Sequence, residues 1–316
     1  MTFNEGARLD PTQAEDRRGR GGMGRGGMGR GGKIGIGLGG GIVVLIGALL
    51  GINPDLLASV LEGTENQPAI EQSGSETLEN CQTGEDANNL LACRILGTAN
   101  SLNAFWPGYL AQQTQNISGP NQSGVKYLRP TTVIFSGGVD TACGQATTAV
   151  GPFYCPGDTK AYFDPDFFVQ LQNQFGSSGG PLAQEYVVAH EFGHHIQNLM
   201  GTLDRAGQGG TGAQSNAVRT ELQADCYAGI WMRHASSTPA PGTSEPFMKP
   251  LLQDDLNDAL SAASSVGDDR IQQAATGGTN PESWSHGSSE QRQKWLHAGY
   301  QSGDLATCDT FSVPKV

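Results

Sequence analysis

The stretch PLAQEYVVAHEFGHHIQNLMG, residues 181–201, constrains this chain more than any other part of it. It starts at a proline, carries Leu182, Tyr186, Val187, Phe192, Ile196 and Leu199 at helical spacing, and stops at Gly201, so both ends of a helix are marked. On a helix, residues i and i+4 project from one face about one turn apart. His190 and His194 can therefore offer two imidazole nitrogens to a single ion. Glu191 lies about 100° round the helix from His190, outside the ligand ring but within reach of a water on that ion. The geometry suits zinc, with Glu191 as general base.

A zinc centre that performs chemistry needs a third protein ligand and one position left for water. Met200 stands six residues after His194, where a metzincin would place a histidine, and this excludes that class. His195 points to another face of the helix and reads as a structural residue or as one that supports a ligand. The next helical segment, SNAVRTELQADCYAGIWMRHA, starts from a cap at Ser215 or Asn216 and carries Glu221 and Asp225 one turn apart. Glu221 is the candidate third ligand. Asp225 is the candidate acceptor for the free N–H of a ligating histidine, which fixes its tautomer; the reverse assignment stays open.

The charge-free run IGIGLGGGIVVLIGALLGI, residues 34–52, is just long enough to span a hydrocarbon core of about 30 Å and reads as one transmembrane helix. A cleaved signal peptide is the competing reading, but the run exceeds a normal apolar h-region and a small-residue cleavage pattern is poor after it. Net charge is −12, yet the first 33 residues hold more Arg and Lys than Asp and Glu. Arg17, Arg18, Arg20, Arg25, Arg30 and Lys33 flank the apolar run on its amino side, which predicts a cytoplasmic amino end and an extracytoplasmic remainder. Residues 1–33, with the repeat RGRGGMGRGGMGRGGK, read as a disordered basic tail, and the polar residues 53–77 as a linker. The acidic main body argues against nucleic acid as a partner.

The folded domain is expected over 78–316. A helix is expected over Asn88 to Leu110, strands within VKYLRPTTVIFSGGV and TKAYFDPDFF with a turn at Asp164 and Pro165, and helices dominate thereafter, an α+β pattern. Six cysteines without a CxxC pair suit an oxidising compartment. Fifteen complete pairings are possible. Cys81 with Cys93 and Cys143 with Cys155 would each close a short, turn-rich loop, leaving Cys226 with Cys308.

Five segments, ACGQATTAVGPFYCPGDTKAYFD, VVAHEFGHHIQNLMG, RTELQADCYAGIW, SHGSSEQRQKWL and CDTF, together resemble the neutral zinc metallopeptidases of bacteria and, more distantly, gluzincin-type membrane proteases. The resemblance implies a zincin-like domain with a small sheet, a bound Zn2+, and hydrolysis of a peptide or protein substrate. It assigns Glu221 as third ligand and Asp225 as its supporting partner. It also implies that His286 and Arg292 of SHGSSEQR lie on the substrate side of the metal, although Gly287 and Ser288 stand where the related pattern has prolines. His286, or else Tyr227, is the candidate donor to an oxyanion. The strand around Tyr162 and Phe163 is the candidate edge for an extended peptide. The alternative to a membrane-anchored endopeptidase is a zinc-stabilised, non-catalytic interaction domain at the cell surface.

Overall fold

The computed structural model describes residues 1–19, 77–115, 125–206 and 209–316. The strands are β1 (Ala14–Asp16), β2 (Thr131–Ile134), β3 (Gly138–Thr141), β4 (Gly144–Thr147), β5 (Phe153–Cys155) and β6 (Lys160–Phe163). Short β-branched or aromatic runs make β2, β5 and β6, whereas β1, β3 and β4 are polar or glycine-containing and owe their form to pairing. A four-stranded sheet has the order β1-β2-β6-β5, with β1, β2 and β6 parallel and β5 antiparallel to β6. Strands β3 and β4 form a separate hairpin.

Nine α-helices are described: α1 (Gly84–Asn89), α2 (Leu91–Gln115), α3 (Pro165–Asn173), α4 (Pro181–Leu199), α5 (Thr202–Ala206), α6 (Asn216–His234), α7 (Gln253–Ser265), α8 (Asp268–Thr276) and α9 (Ser289–Ser302). Helix α4 is sandwiched among α2, α6 and α7, and α9 packs along α6. Fifteen of the nineteen residues of α4 are buried, among them polar Glu185, His190, Glu191, His194, His195 and Gln197. So many buried polar side chains require internal partners, and those partners build the site. The architecture is α+β, mostly helical with a small sheet.

The structure corrects several sequence expectations. Residues 165–173 form α3 where only a turn was expected: Asp164 caps it by accepting from the Asp166 N–H, Pro165 occupies the first turn, and Phe167, Phe168 and Leu171 are buried beneath it. Helix α2 starts three residues later than expected and runs on to Gln115. The domain does not begin at Leu78, and the first half of the supposed disordered tail is packed. Met1, Phe3, Ala7 and Leu9 are buried in the main core and β1 extends the sheet. Long-range pairing outweighs a composition too polar to order the segment alone. The repeat beyond Gly19, the apolar run 34–52 and the linker as far as residue 76 lie outside the described residues. Among the described residues no helix is long and apolar enough to cross a membrane.

Three disulfides join Cys81 to Cys93, Cys143 to Cys155 and Cys226 to Cys308, the expected pairing. The last ties the segment after α9 to the middle of α6.

Candidate metal centre and active site

Helices α4 and α6 cross at Gly193, where an added Cβ would stand 2.8 Å from the carbonyl oxygen of Ala224. Only glycine permits so close an approach. The crossing brings Glu221 of α6 against both histidines of α4: Glu221 Oε2 is 3.2 Å from His190 Nε2, and Glu221 Oε1 is 3.5 Å from His194 Nε2. Ser215, whose side chain accepts from the Val218 N–H, caps α6 as expected.

Each histidine's other ring nitrogen fixes its tautomer. His190 Nδ1 lies 2.8 Å from Asp225 Oδ1, a carboxylate that can only accept, so Nδ1 carries the proton. For His194 the reasoning passes through Gln197. The Gln197 amide nitrogen donates to the Thr220 carbonyl, which turns its oxygen toward His194 Nδ1 at 2.8 Å, and that nitrogen too must donate. In the neutral rings both Nε2 atoms are therefore lone pairs facing a carboxylate. Facing Glu221, this position favours a positive charge, which is either a proton on His190 or a metal ion that takes its place between the three donors. Tetrahedral zinc with bonds of about 2.0–2.1 Å separates its donors by about 3.3 Å, close to the 3.2 and 3.5 Å seen here. His190, His194 and Glu221 form a buried cluster able to hold a metal ion. The donor set fits zinc.

Asp225 is fully buried and accepts from four donors: Tyr186 Oη, His190 Nδ1, and Nε and Nη2 of Arg292, the last two each at 2.9 Å. Burial works against the Asp225 charge, but the Arg292 guanidinium and His190 outweigh it and bring the carboxyl down to about 2. For His190, burial opposes the charged form, while Asp225 and Glu221 prevail and raise it to about 10. Glu221 is likewise held below the ordinary carboxylate range by the two histidines despite burial. Glu191 behaves oppositely. Burial raises its carboxyl, only partly countered by His190 and His194, which suits a group that must take up a proton and release it.

His190, Glu191, His194, Glu221 and His286 form the polar side of an open cavity bounded on its apolar side by Phe153, Phe167, Val187, Leu203 and Val266. His286 Nδ1 sits 3.1 Å from Asp268 Oδ1, while its buried Nε2 has no partner. Asp268 accepts in addition from the backbone N–H groups of Ser285, His286 and Gly287 and so fixes the whole turn. Ser288 caps α9 immediately afterwards.

Of the residues singled out from sequence, His190, His194, Glu191, Glu221, Asp225 and His286 meet at this place. Arg292 borders the cavity, but its guanidinium grips Asp225 behind His190 rather than facing a substrate. Tyr162 does not reach the site. Strand β6 is flanked by β2 and β5, and Tyr162 is buried, bonded to Asp158 and stacked on Phe153. The sheet edge nearest the site is β5, whose Phe153 and Tyr154 line the cavity. Tyr227 is buried against Trp106, away from the cavity lining. His195 is structural as expected: its Nε2–H donates to the Leu128 carbonyl at 2.6 Å, Nδ1 meets Tyr154 Oη, and burial lowers it to about 4.

Sequence reasoning missed Tyr186, Gln197 and Asp268. Tyr186 and Gln197 lie four residues before His190 and three after His194, on the ligand face, so helical spacing alone could have found them.

The sequence model of a family described as "Putative neutral zinc metallopeptidase" matches residues 3–311. An uncharacterized protein of Mycobacterium tuberculosis (strain ATCC 25618 / H37Rv) is 55% identical over 236 residues, covering 75% of this chain and 76% of the relative. The uncharacterized protein YpfJ of Escherichia coli (strain K12) is 36% identical over 275 residues, 85% of this chain and 84% of the relative. No solved structure matches the chain.

Proposed function

Since the chain belongs to the neutral zinc metallopeptidase family, we propose that it is a zinc-dependent endopeptidase, with His190, His194 and Glu221 as metal ligands. The observation that carries this reading is the meeting of two imidazole nitrogens and a carboxylate beside an open cavity that also exposes Glu191. Bound zinc supplies Lewis acidity, which acidifies a water and polarises the carbonyl of the scissile bond.

The chain's own residues do the rest. Glu191 takes the proton from the attacking water on its carboxylate and returns it to the leaving amine. His286, held through Nδ1 by Asp268, lines the cavity with a buried Nε2 that has no partner, and is the donor placed to meet the oxyanion that develops on the substrate. Asp225 and Arg292 hold the His190 ring in its ligating tautomer. An extended peptide adds to the edge of β5, and the apolar wall of Phe153, Phe167, Val187 and Leu203 receives a bulky hydrophobic side chain next to the cleaved bond. The cavity beside the donor set argues against a purely structural zinc domain, whose metal is enclosed on all sides.

The three disulfides support an extracytoplasmic location for the catalytic domain, and the apolar run 34–52 supports attachment to a membrane.

The test uses the purified full chain. It should contain one equivalent of zinc and cleave members of a peptide library, whereas Glu191→Gln should keep the metal and lose activity by about 10²–10⁴-fold. Turnover near that of the parent in this variant would remove the general base and the mechanism with it.

A further inference from the structure

We infer that residues 1–18 reside in the same compartment as the domain after residue 77, as an integral part of it, and that the chain joining them does not carry one end across a membrane from the other. The observation is how thoroughly the domain is shaped around this segment. Phe3 is fully buried; its backbone N–H donates to Asn88 Oδ1 at 2.8 Å and its carbonyl accepts from Asn88 Nδ2 at 3.0 Å. Asn100, only 2% exposed, clasps the backbone of Asp10 in the same way, at 2.6 and 3.3 Å. Phe3 also pairs antiparallel with Met248, and β1 pairs in parallel with β2. Lys160 of β6 reaches Glu15 at 2.7 Å.

Two glycines of the domain exist in space that this segment fills. A Cβ at Gly84 would stand 2.0 Å from the carbonyl oxygen of Asn4, and one at Gly97 would stand 2.8 Å from the Phe3 ring. Stripped of residues 1–18, the domain would hold a buried asparagine amide with both partners gone and an unpaired strand edge at β2, each costly. The family match begins at residue 3 and so includes the segment.

A single crossing anywhere between residues 19 and 77 would place Phe3 and Met248 in different compartments, where this packing cannot form. The positive flank argues for retention of the amino end inside. Two of its six cations are accounted for otherwise, because Arg17 and Arg18 are ion-paired with Glu15 and Asp16, each at 2.6 Å, within the folded segment. The contacts of Phe3, Asp10 and β1 decide the matter, because they are specific and numerous where the charge rule is a bias. The inference does not depend on catalysis.

The experiment is carried out on the full chain in intact producing cells. Thr2→Cys and Ser302→Cys each add one thiol at an exposed position, with every native cysteine already paired. Each variant is treated with a membrane-impermeant maleimide before and after lysis. The two positions should label alike. Labelling of Ser302→Cys in intact cells with Thr2→Cys labelled only after lysis would overturn the inference. If both label only after lysis, the inference stands and the extracytoplasmic reading of the domain falls. A second variant joins Thr2→Cys with Lys249→Cys, which face each other across the Phe3–Met248 bridge, where opposed Cα atoms lie about 5.5 Å apart, within disulfide reach. A linked peptide spanning positions 2 and 249 is expected. Recovery of both added thiols unlinked, from protein whose native bridges have formed, would also overturn it.

Discussion

Replacing Asp225 with Asn keeps the size of the side chain and removes its charge. Asp225 is the only carboxylate directly hydrogen-bonded to Arg292 among the described residues; the two are joined by contacts of 2.9 Å each and have side chains 0% and 5% exposed. Removing one member of a buried ion pair leaves the other charge uncompensated and costs about 3–5 kcal/mol. The amide must also present a donor to one of four groups that already donate, which lengthens or breaks the contact to Tyr186 or His190. Loss of a hydrogen bond that orients a metal ligand lowers metal affinity by about 10–100-fold, or about 1.4–2.7 kcal/mol. The two effects separate experimentally. Urea unfolding of metal-stripped protein reads the stability loss, and competition with a chromogenic chelator reads zinc affinity. In the same chelator assay Glu221→Ala, which deletes a ligand outright, should lose zinc more severely than Asp225→Asn. The reasoning fails if Asp225→Asn unfolds within about 1 kcal/mol of the parent. If the Asp225 variant loses zinc more than the Glu221 variant, the ligand and its supporting partner must be exchanged.

Phe3→Ala should destabilise the full chain by about 3–5 kcal/mol, as for a fully buried aromatic ring, although the residue lies far from the site in sequence; denaturant unfolding with a shift under 1 kcal/mol would contradict the packing of the amino-terminal segment. Glu185 is buried with neither carboxylate oxygen partnered, and burial raises it to about 7. The folded chain therefore holds this proton more tightly than the unfolded chain, so the contribution to stability is full below pH of about 4.5 and is lost as pH rises through about 7, a change on the order of 3 kcal/mol. Glu185→Gln should flatten that fall, and unchanged pH dependence between 5 and 8 would refute the assignment. Removing the Cys226–Cys308 bridge by double serine substitution frees a separation of 82 residues and should cost about 4–5 kcal/mol by the chain-entropy estimate. Calorimetry under non-reducing conditions checks it, and zinc should loosen in parallel because Cys226 adjoins Asp225.

Helix α4 was legible from sequence almost to the residue, because its ends are marked by Pro181 and Gly201 and its metal-binding pattern is local. Glu221 and Asp225 were legible as a pair, since one helical turn puts them on a common face. Which strand forms the sheet edge was not legible: β5 and β6 are both short and apolar, and only the pairing order shows that Tyr162 is interior while Phe153 and Tyr154 reach the cavity. Asp268 gave no signal, because its partners at 285–287 lie across a turn that composition does not specify. The amino-terminal segment was hidden for a related reason. Its apolar residues are few, and their worth depends on Asn88, Asn100 and Met248, which are supplied from elsewhere in the chain.

The parallel pairing of β1 with β2, together with the bridge from Phe3 to Met248, sets an order for folding. Residues 1–18 find their partners only after Thr131, Lys160 and finally Met248 have been made, so this strand emerges long before it can dock. Contacts of such sequence separation slow folding, because chain closure must precede any reward from the contact. Until then β2 presents an open edge to any extended peptide nearby, which makes newly made chains most vulnerable to aggregation in that interval.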